Sequence, residues 1–286
     1  MIIAAYIGFG EAGQAFAHDG NRAFDIKVTQ PATAAAKRCD YASAGVIGCE
    51  SAEQALAGTP VVLSLVTADQ ALVAAMACAP FLAPDALWLD MNSVAPGTKR
   101  AAAAAVEAAG GRYVDVAVMA PVEPARRDVP LRVSGPHRAA AIDALGTLGF
   151  SRVADGGANV GDASAVKMIR SVLVKGIEAL TAEAALAAHR AGVAEAVFAS
   201  LDQSAKAEGW ARRADYNIER MMVHGLRRAA EMEEAAKTLA ELGVDPAMTR
   251  GTIDRQRAIG RLGIEPPAGL AAKLAILAPS RKDRIA

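Results

Sequence analysis

Aromatic side chains are scarce in this chain, at 4% of its 286 residues. Base stacking on single-stranded nucleic acid therefore has few platforms. A basic excess is also missing. Lys+Arg and Asp+Glu both number 31, so no net charge drives binding to a phosphate backbone. The expected partner is a small molecule and not a nucleic acid. Cysteine is nearly absent, with Cys39, Cys49 and Cys78 at spacings that fit neither a zinc site nor a disulfide framework. They read as buried free thiols of a reducing compartment, and no metal is expected. No uninterrupted apolar run reaches the roughly 20 residues that cross a bilayer. The first residues run straight into an apolar stretch without a basic leader region or cleavage signal. A cytoplasmic protein with no membrane partner is the expectation.

What is plentiful is aliphatic. Hydrophobic residues make up 53% of the sequence, and much of that is alanine, which loses no side-chain entropy in a helix. At roughly 150 residues per domain, the length suggests two domains. Short apolar runs predict strands at 1–7, 26–29, 61–66, 87–91, 113–118 and 131–134. Helical spacing fills 11–19, 32–44, 69–76 and 96–109 between them. Strands alternating with helices imply βαβ units and a mainly parallel sheet. After Gly156-Gly157 the texture changes. Val166, Ile169, Leu173, Ile177 and Leu180 recur every three or four residues, one stripe of a long helix. No convincing strand follows, and Gly192, Gly209, Gly225, Gly243 and Pro246 punctuate the helical remainder. The expected organisation is an α/β sheet domain at 1–158 and an all-α domain at 159–286.

Gly8-Phe9-Gly10-Glu11-Ala12-Gly13 fits G-x-G-x-x-G between the first strand and the first helix. This is the Rossmann dinucleotide pattern. Gly8 permits a tight turn, Gly10 lets the pyrophosphate approach the backbone, and Gly13 lets helix pack on strand. NAD or NADP is the implied cofactor. About 20 residues past the turn, a carboxylate would bind the ribose of NAD. Here that stretch reads Val28-Thr29-Gln30-Pro31, with no acid, and Lys37 and Arg38 lie beyond it. Gln30 is taken as the ribose contact and NADP as the preferred cofactor. Val66-Thr67 and Asn92-Ser93 end strands, where ligands of such sheets bind.

Taken in order, these segments resemble the β-hydroxyacid dehydrogenases, relatives of 6-phosphogluconate dehydrogenase. The resemblance runs through Leu63-Ser64-Leu65-Val66, Leu89-Asp90-Met91-Asn92-Ser93-Val94-Ala95-Pro96 and Val114-Asp115-Val116-Ala117-Val118. It continues in Gly161-Asp162-Ala163-Ser164-Ala165-Val166-Lys167-Met168-Ile169. The C-terminal segments look closest to a poorly characterised branch with its own helical domain. The resemblance implies that Lys167 is the catalytic acid/base. Partial burial and nearby cations such as Arg170 and Lys175 would tune it towards neutral pH. It also implies a homo-oligomer, at least a dimer, with the striped helix and the helical domain buried on a partner subunit.

Four departures bear on substrate. Ser171 stands where the family has an asparagine, and Val174 where the decarboxylating enzymes have a glutamate. Met119-Ala120-Pro121 replaces a Ser-Gly-Gly substrate turn, and Ala230-Glu231 replaces a lysine-aspartate pair. Ser171, Met119 and Ala120 remain candidate substrate contacts. His224, Arg228 and Glu231, at i, i+4 and i+7, share one helix face that suits a carboxylate. The expected activity is hydride transfer between nicotinamide and a small hydroxy acid or related polar alcohol or carbonyl. The alternatives are an imine reductase on the same scaffold, which generally has aspartate or tyrosine in place of Lys167, and a non-catalytic dinucleotide sensor.

Overall fold

The computed structural model describes residues 3–204, 209–241 and 243–277. The chain forms two compact units, Met1–Val172 and Leu173–Ala286.

In the first unit, eight strands among the described residues form one sheet. They are β1 (Ala4–Ile7), β2 (Arg22–Phe24), β3 (Ile47–Gly48), β4 (Val61–Ser64), β5 (Leu87–Asp90), β6 (Arg112–Val118), β7 (Leu131–Ser134) and β8 (Val153–Gly157). The helices between them are α1 (Glu11–Phe16), α2 (Ala34–Ser43), α3 (Ala52–Leu56), α4 (Ala71–Cys78), α5 (Pro96–Ala108) and α6 (Arg138–Thr147). The strand order is β3-β2-β1-β4-β5-β6-β7-β8, parallel throughout except between β6 and β7. Alternate residues of the central strands enter two separate cores. Ala4, Tyr6, Leu63 and Leu89 pack on one face, and Ala5, Ile7, Val62 and Trp88 on the other. Burial on both faces explains the unbroken apolar runs.

Register lines up the functional ends. Ile7 pairs with Ser64, and Ser64 with Asp90. Gly8, Leu65 and Met91 therefore leave three neighbouring strands together. The order of connection reverses at β1 and β4, the switch point beside which open α/β sheets bind ligands.

Residues 26–29, expected as a strand, form a 3-10 turn instead. Asp25 initiates it, accepting the Lys27 N–H at 3.0 Å, and its carbonyl accepts the Val28 N–H. The true second strand is the preceding Arg-Ala-Phe, whose register against β1 is Ala5 to Arg22. Cys49 and Cys78 are buried thiols, and burial pushes Cys78 up to about 12. Cys39, expected buried, is exposed on α2.

The long helix α7 (Asp162–Arg190) begins in the first unit. Beyond it, the second unit carries α8 (Ala194–Ser204), α9 (Trp210–Glu241), α10 (Ala247–Gly260) and α11 (Leu270–Leu277). Gly225 does not punctuate this region as its residue type suggested. It lies inside α9 where α10 crosses, and a Cβ there would sit 2.4 Å from Gln256 O and 2.8 Å from Gly260 Cα. Among the described residues no helix is long and apolar enough to cross a membrane.

Candidate active site

The three glycines after β1 differ in what constrains them. Gly8 has φ +86°, and a Cβ on it would lie 2.5 Å from Leu65 O. A Cβ on Gly13 would meet Gly8 O and the Phe9 ring at 3.1 Å, the close helix–strand packing expected of this position. Gly10 is different. Its φ of −87° and ψ of −150° are extended, and a Cβ would meet nothing within 4 Å. Neither backbone strain nor packing inside the protein asks for glycine at 10. That leaves room for an outside group to approach the backbone, and a dinucleotide pyrophosphate would fit there.

Beside this turn, at the C-terminal ends of β1, β4 and β5, lies a cavity of about 510 Å3. It brings together Glu11, Ala12, Val66, Asn92, Ser93, Ala120 and Lys167, all singled out from sequence. Leu65, Ala68, Met91, Val118, Pro121 and Val122 complete the wall. Lys167 Nζ, on the second turn of α7, donates to Ser93 Oγ at 2.5 Å. Asn92 is 5% exposed, and its Oδ1 is buried without a hydrogen-bond partner. An orphaned buried acceptor in a cavity wall suits a ligand donor.

A buried charge cluster holds both segments. Lys99 is fully buried on α5. Its Nζ donates to Asp90 O at 2.6 Å and lies 3.0 Å from Asp90 Oδ1 and 3.4 Å from Asp115 Oδ1. Asp90 Oδ1 accepts from the Asn92 backbone N–H and side-chain amide, which also donates to Ser64 Oγ. Tyr113 donates its hydroxyl to Asp90 Oδ2 at 2.6 Å. Burial first, and then the Asp90 charge, raise the Tyr113 pKa far above its ordinary value. Asp115 Oδ2 accepts the Ser164 N–H at 2.9 Å, and Ser134 Oγ accepts the Ala163 N–H at 2.9 Å. These bonds fix the first turn of α7, and Lys167 follows one turn later. Sequence reading missed this cluster. Asp90, Asn92, Asp115 and Ser164 lie in the quoted motifs, but Lys99, Tyr113 and Ser134 do not, and only the tertiary fold joins them.

Several expected contacts fall elsewhere. Gln30 is exposed after the 3-10 turn, and its carbonyl accepts from Thr33 and Ala34 N–H. The residue at the end of β2 is Asp25, whose Oδ2 accepts the Phe9 N–H at 2.8 Å. A carboxylate thus follows β2 directly, five residues before Gln30. Lys37 does not reach outwards. It is buried, donating to Phe9 O and to Asp40 Oδ2, each at 2.7 Å. Arg38 forms a two-bond pair with Glu50. Thr67 opens the 3-10 turn Ala68–Gln70 and does not line the cavity. Met119 spends its N–H on Pro130 O at 2.8 Å, extending the β6–β7 ladder, and so has no donor for substrate. Ser171 is half-buried on α7, outside the cavity wall. In the second unit His224 and Arg228 stand one turn apart on α9, both half-buried. The side chains of Glu231 and Lys175 lie outside the described residues. Among the described residues no group of three or more His, Cys, Asp or Glu is placed to hold a metal ion.

Residues 4–142 match the family described as the NAD binding domain of 6-phosphogluconate dehydrogenase, and 188–259 match a domain of unknown function, DUF1932. A conserved hypothetical protein from Sinorhizobium meliloti 1021 is 35% identical over 97% of this chain and 96% of its own, with a TM-score of 0.60. The chain belongs to the 6-phosphogluconate dehydrogenase-like family. A conserved protein of unknown function, described as structurally similar to 3-hydroxyacid dehydrogenases, is 30% identical over 92% of this chain and 99% of its own (TM-score 0.58). An imine reductase from Streptomyces aurantiacus shares the fold at 20% identity, covering 96% of this chain and 99% of its own (TM-score 0.71). No curated protein matches the chain. The matched NAD binding domain contains the turn after β1, and the open side of Gly10 is compatible with a dinucleotide there.

Proposed function

We propose that this protein is an NAD-dependent oxidoreductase acting on a small hydroxy acid or related polar alcohol, with Lys167 as acid/base. The observation that carries the reading is Lys167 on the cavity wall, hydrogen-bonded to Ser93 beside the dinucleotide turn. When bound, the cofactor supplies a hydride acceptor at nicotinamide C4. The chain's part is proton transfer. As the carbinol C–H leaves as hydride, a neutral Lys167 amine takes the hydroxyl proton, and a carbonyl remains. In reduction the ammonium returns that proton to the carbonyl oxygen. Ser93 orients Lys167, and the Asn92 Oδ1 acceptor is left for a hydroxyl or amide donor of the ligand.

Asp25 supports NAD over NADP, because its carboxylate at the end of β2 would lie against a 2′-phosphate. His224, Arg228 and Glu231 are retained as a substrate-binding face, suited to a carboxylate, and the working form is a homodimer. The protein acts in the cytoplasm.

The test is an NADH/NAD absorbance screen over hydroxy acids, polyols and imines, followed by variants on the substrate found. Lys167→Ala should lower kcat on the order of 10²–10⁴, the usual contribution of a positioned proton-transfer group, with NADH affinity nearly unchanged. Arg228→Ala should raise KM. Full turnover by Lys167→Ala removes the acid/base assignment, and an unaltered KM in Arg228→Ala removes the face. Turnover of imines alone would favour the imine reductase reading. Cofactor binding with no turnover on any class would favour a sensor.

A further inference from the structure

We propose that Lys37 is a positioning residue of the dinucleotide turn: its ammonium fixes the Phe9–Gly10 peptide so that the Gly10 N–H faces the pyrophosphate. This rests on the dinucleotide reading of the turn.

Lysine is among the side chains least often buried, and its desolvation needs compensation. The Lys37 side chain is 7% exposed, whereas its partner Asp40 is 36% exposed. An ion pair with Asp40 alone could form at the surface. What lies inward is the Phe9 carbonyl, which Lys37 Nζ meets at 2.7 Å. Phe9 is then held from both sides, because its own N–H donates to Asp25 Oδ2 at 2.8 Å. Its ring cannot swing either, being fully buried against Tyr6 and Tyr41 with centroids 5.8 and 5.3 Å away.

A trans peptide is planar, and its N–H points opposite to its C=O. With the Phe9 carbonyl drawn towards α2, the Gly10 N–H faces away from α2. Glycine tolerates conformations that other residues avoid, so the Phe9–Gly10 peptide could otherwise flip at little cost. The flipped peptide would present a carbonyl oxygen to the phosphates and repel them. Lys37 opposes that flip, and its positive charge lies one peptide from where two phosphates would sit. The sequence suggested a solvent-facing cation for the 2′-phosphate. The structure gives the same residue a role beneath the pyrophosphate.

Calorimetric titration of wild type, Lys37→Met and Lys37→Arg with NADH, ADP-ribose and adenosine tests this. Lys37→Met should weaken NADH and ADP-ribose on the order of tenfold or more, as expected for losing a charged hydrogen bond. Adenosine, which lacks the pyrophosphate, should change by less than about twofold. Lys37→Arg should recover most of the loss. Unaltered ADP-ribose affinity in Lys37→Met, or equal losses for all three ligands, overturns the proposal. Should Lys37→Met fail to fold, the wild-type protein decides it by NMR. ADP-ribose should move the Gly10 amide proton downfield and adenosine should not, and an unmoved Gly10 overturns the proposal. A wild type that binds neither NADH nor ADP-ribose would instead remove the dinucleotide reading, and this role with it.

Discussion

At the residue scale, Gly8 and Gly13 are required by the protein's own packing, and Gly10 is left open on its outer side. The motif's spacing was legible in the sequence, but that division was not, because it depends on which atoms surround each Cα. Asp25 went unnoticed in the sequence for a different reason. The apolar Ile26 and Val28 read as a strand, whereas they form the 3-10 turn that follows β2 and Asp25. Asp25 keeps a lone pair on each oxygen beyond those used by the Phe9 and Lys27 amides, enough to accept a ribose hydroxyl. NADH is accordingly expected to bind tighter than NADPH on the order of tenfold or more, since like charges brought together cost several kcal/mol. Asp25→Asn should narrow that ratio, mainly by strengthening NADPH. Titrations giving NADPH the higher affinity in the wild type would rule out this role for Asp25.

At the scale of elements, helix ends carry much of the specification. The first turn of α7 is held by Asp115 and Ser134, and α10 by Glu183. That carboxylate is 7% exposed and accepts from Met248 N at 2.8 Å, Thr249 N at 3.1 Å and Thr249 Oγ1 at 2.6 Å. Burial pushes the Glu183 pKa up, but the bonds from Thr249 and Met248 outweigh it, and the pKa lies below the ordinary glutamate value. A depressed carboxylate contributes stability above its unfolded pKa and loses it as pH falls through the folded one. Glu183→Gln should therefore lower unfolding free energy by about 1–3 kcal/mol at pH 7. The difference from wild type should shrink below about pH 4, as the wild-type carboxyl protonates. Denaturant melts at pH 7 and pH 3 check both, and a pH-independent difference would contradict the charge-based cap. The long, strongly periodic elements were legible in sequence, with α7 and the buried strands β4 and β5 the clearest. Helix α3 is too short to show a period, and β8, Val-Ala-Asp-Gly-Gly, has the composition of a turn. Glycine at 225 looked like a breaker because a helix crossing leaves no mark in local sequence.

At the scale of the whole molecule, α7 presents Val166, Ile169, Leu173, Ile177 and Leu180, each 42–72% exposed, along one stripe. A contiguous apolar stripe of this kind marks an interaction surface, and a second copy of the chain is the expected partner. Light scattering should give twice the 29.4 kDa chain mass, and Leu173→Glu with Ile177→Glu should give the monomer. A wild type that stays monomeric at micromolar concentration excludes the dimer. The family, the α/β-then-α order and most of the cavity wall were legible before any coordinates. The cluster around Lys99 and the inward turn of Lys37 were not, since both are products of long-range packing. The proposed roles of Lys167, Asp25 and Lys37 all require a dinucleotide lying against Gly10. NADH titration of wild type and Gly10→Val by calorimetry tests that most directly. Because the extended backbone and open space at 10 accept a side chain, the variant should melt like the wild type and show no NADH binding. Wild-type NADH affinity in a folded Gly10→Val protein would contradict the account.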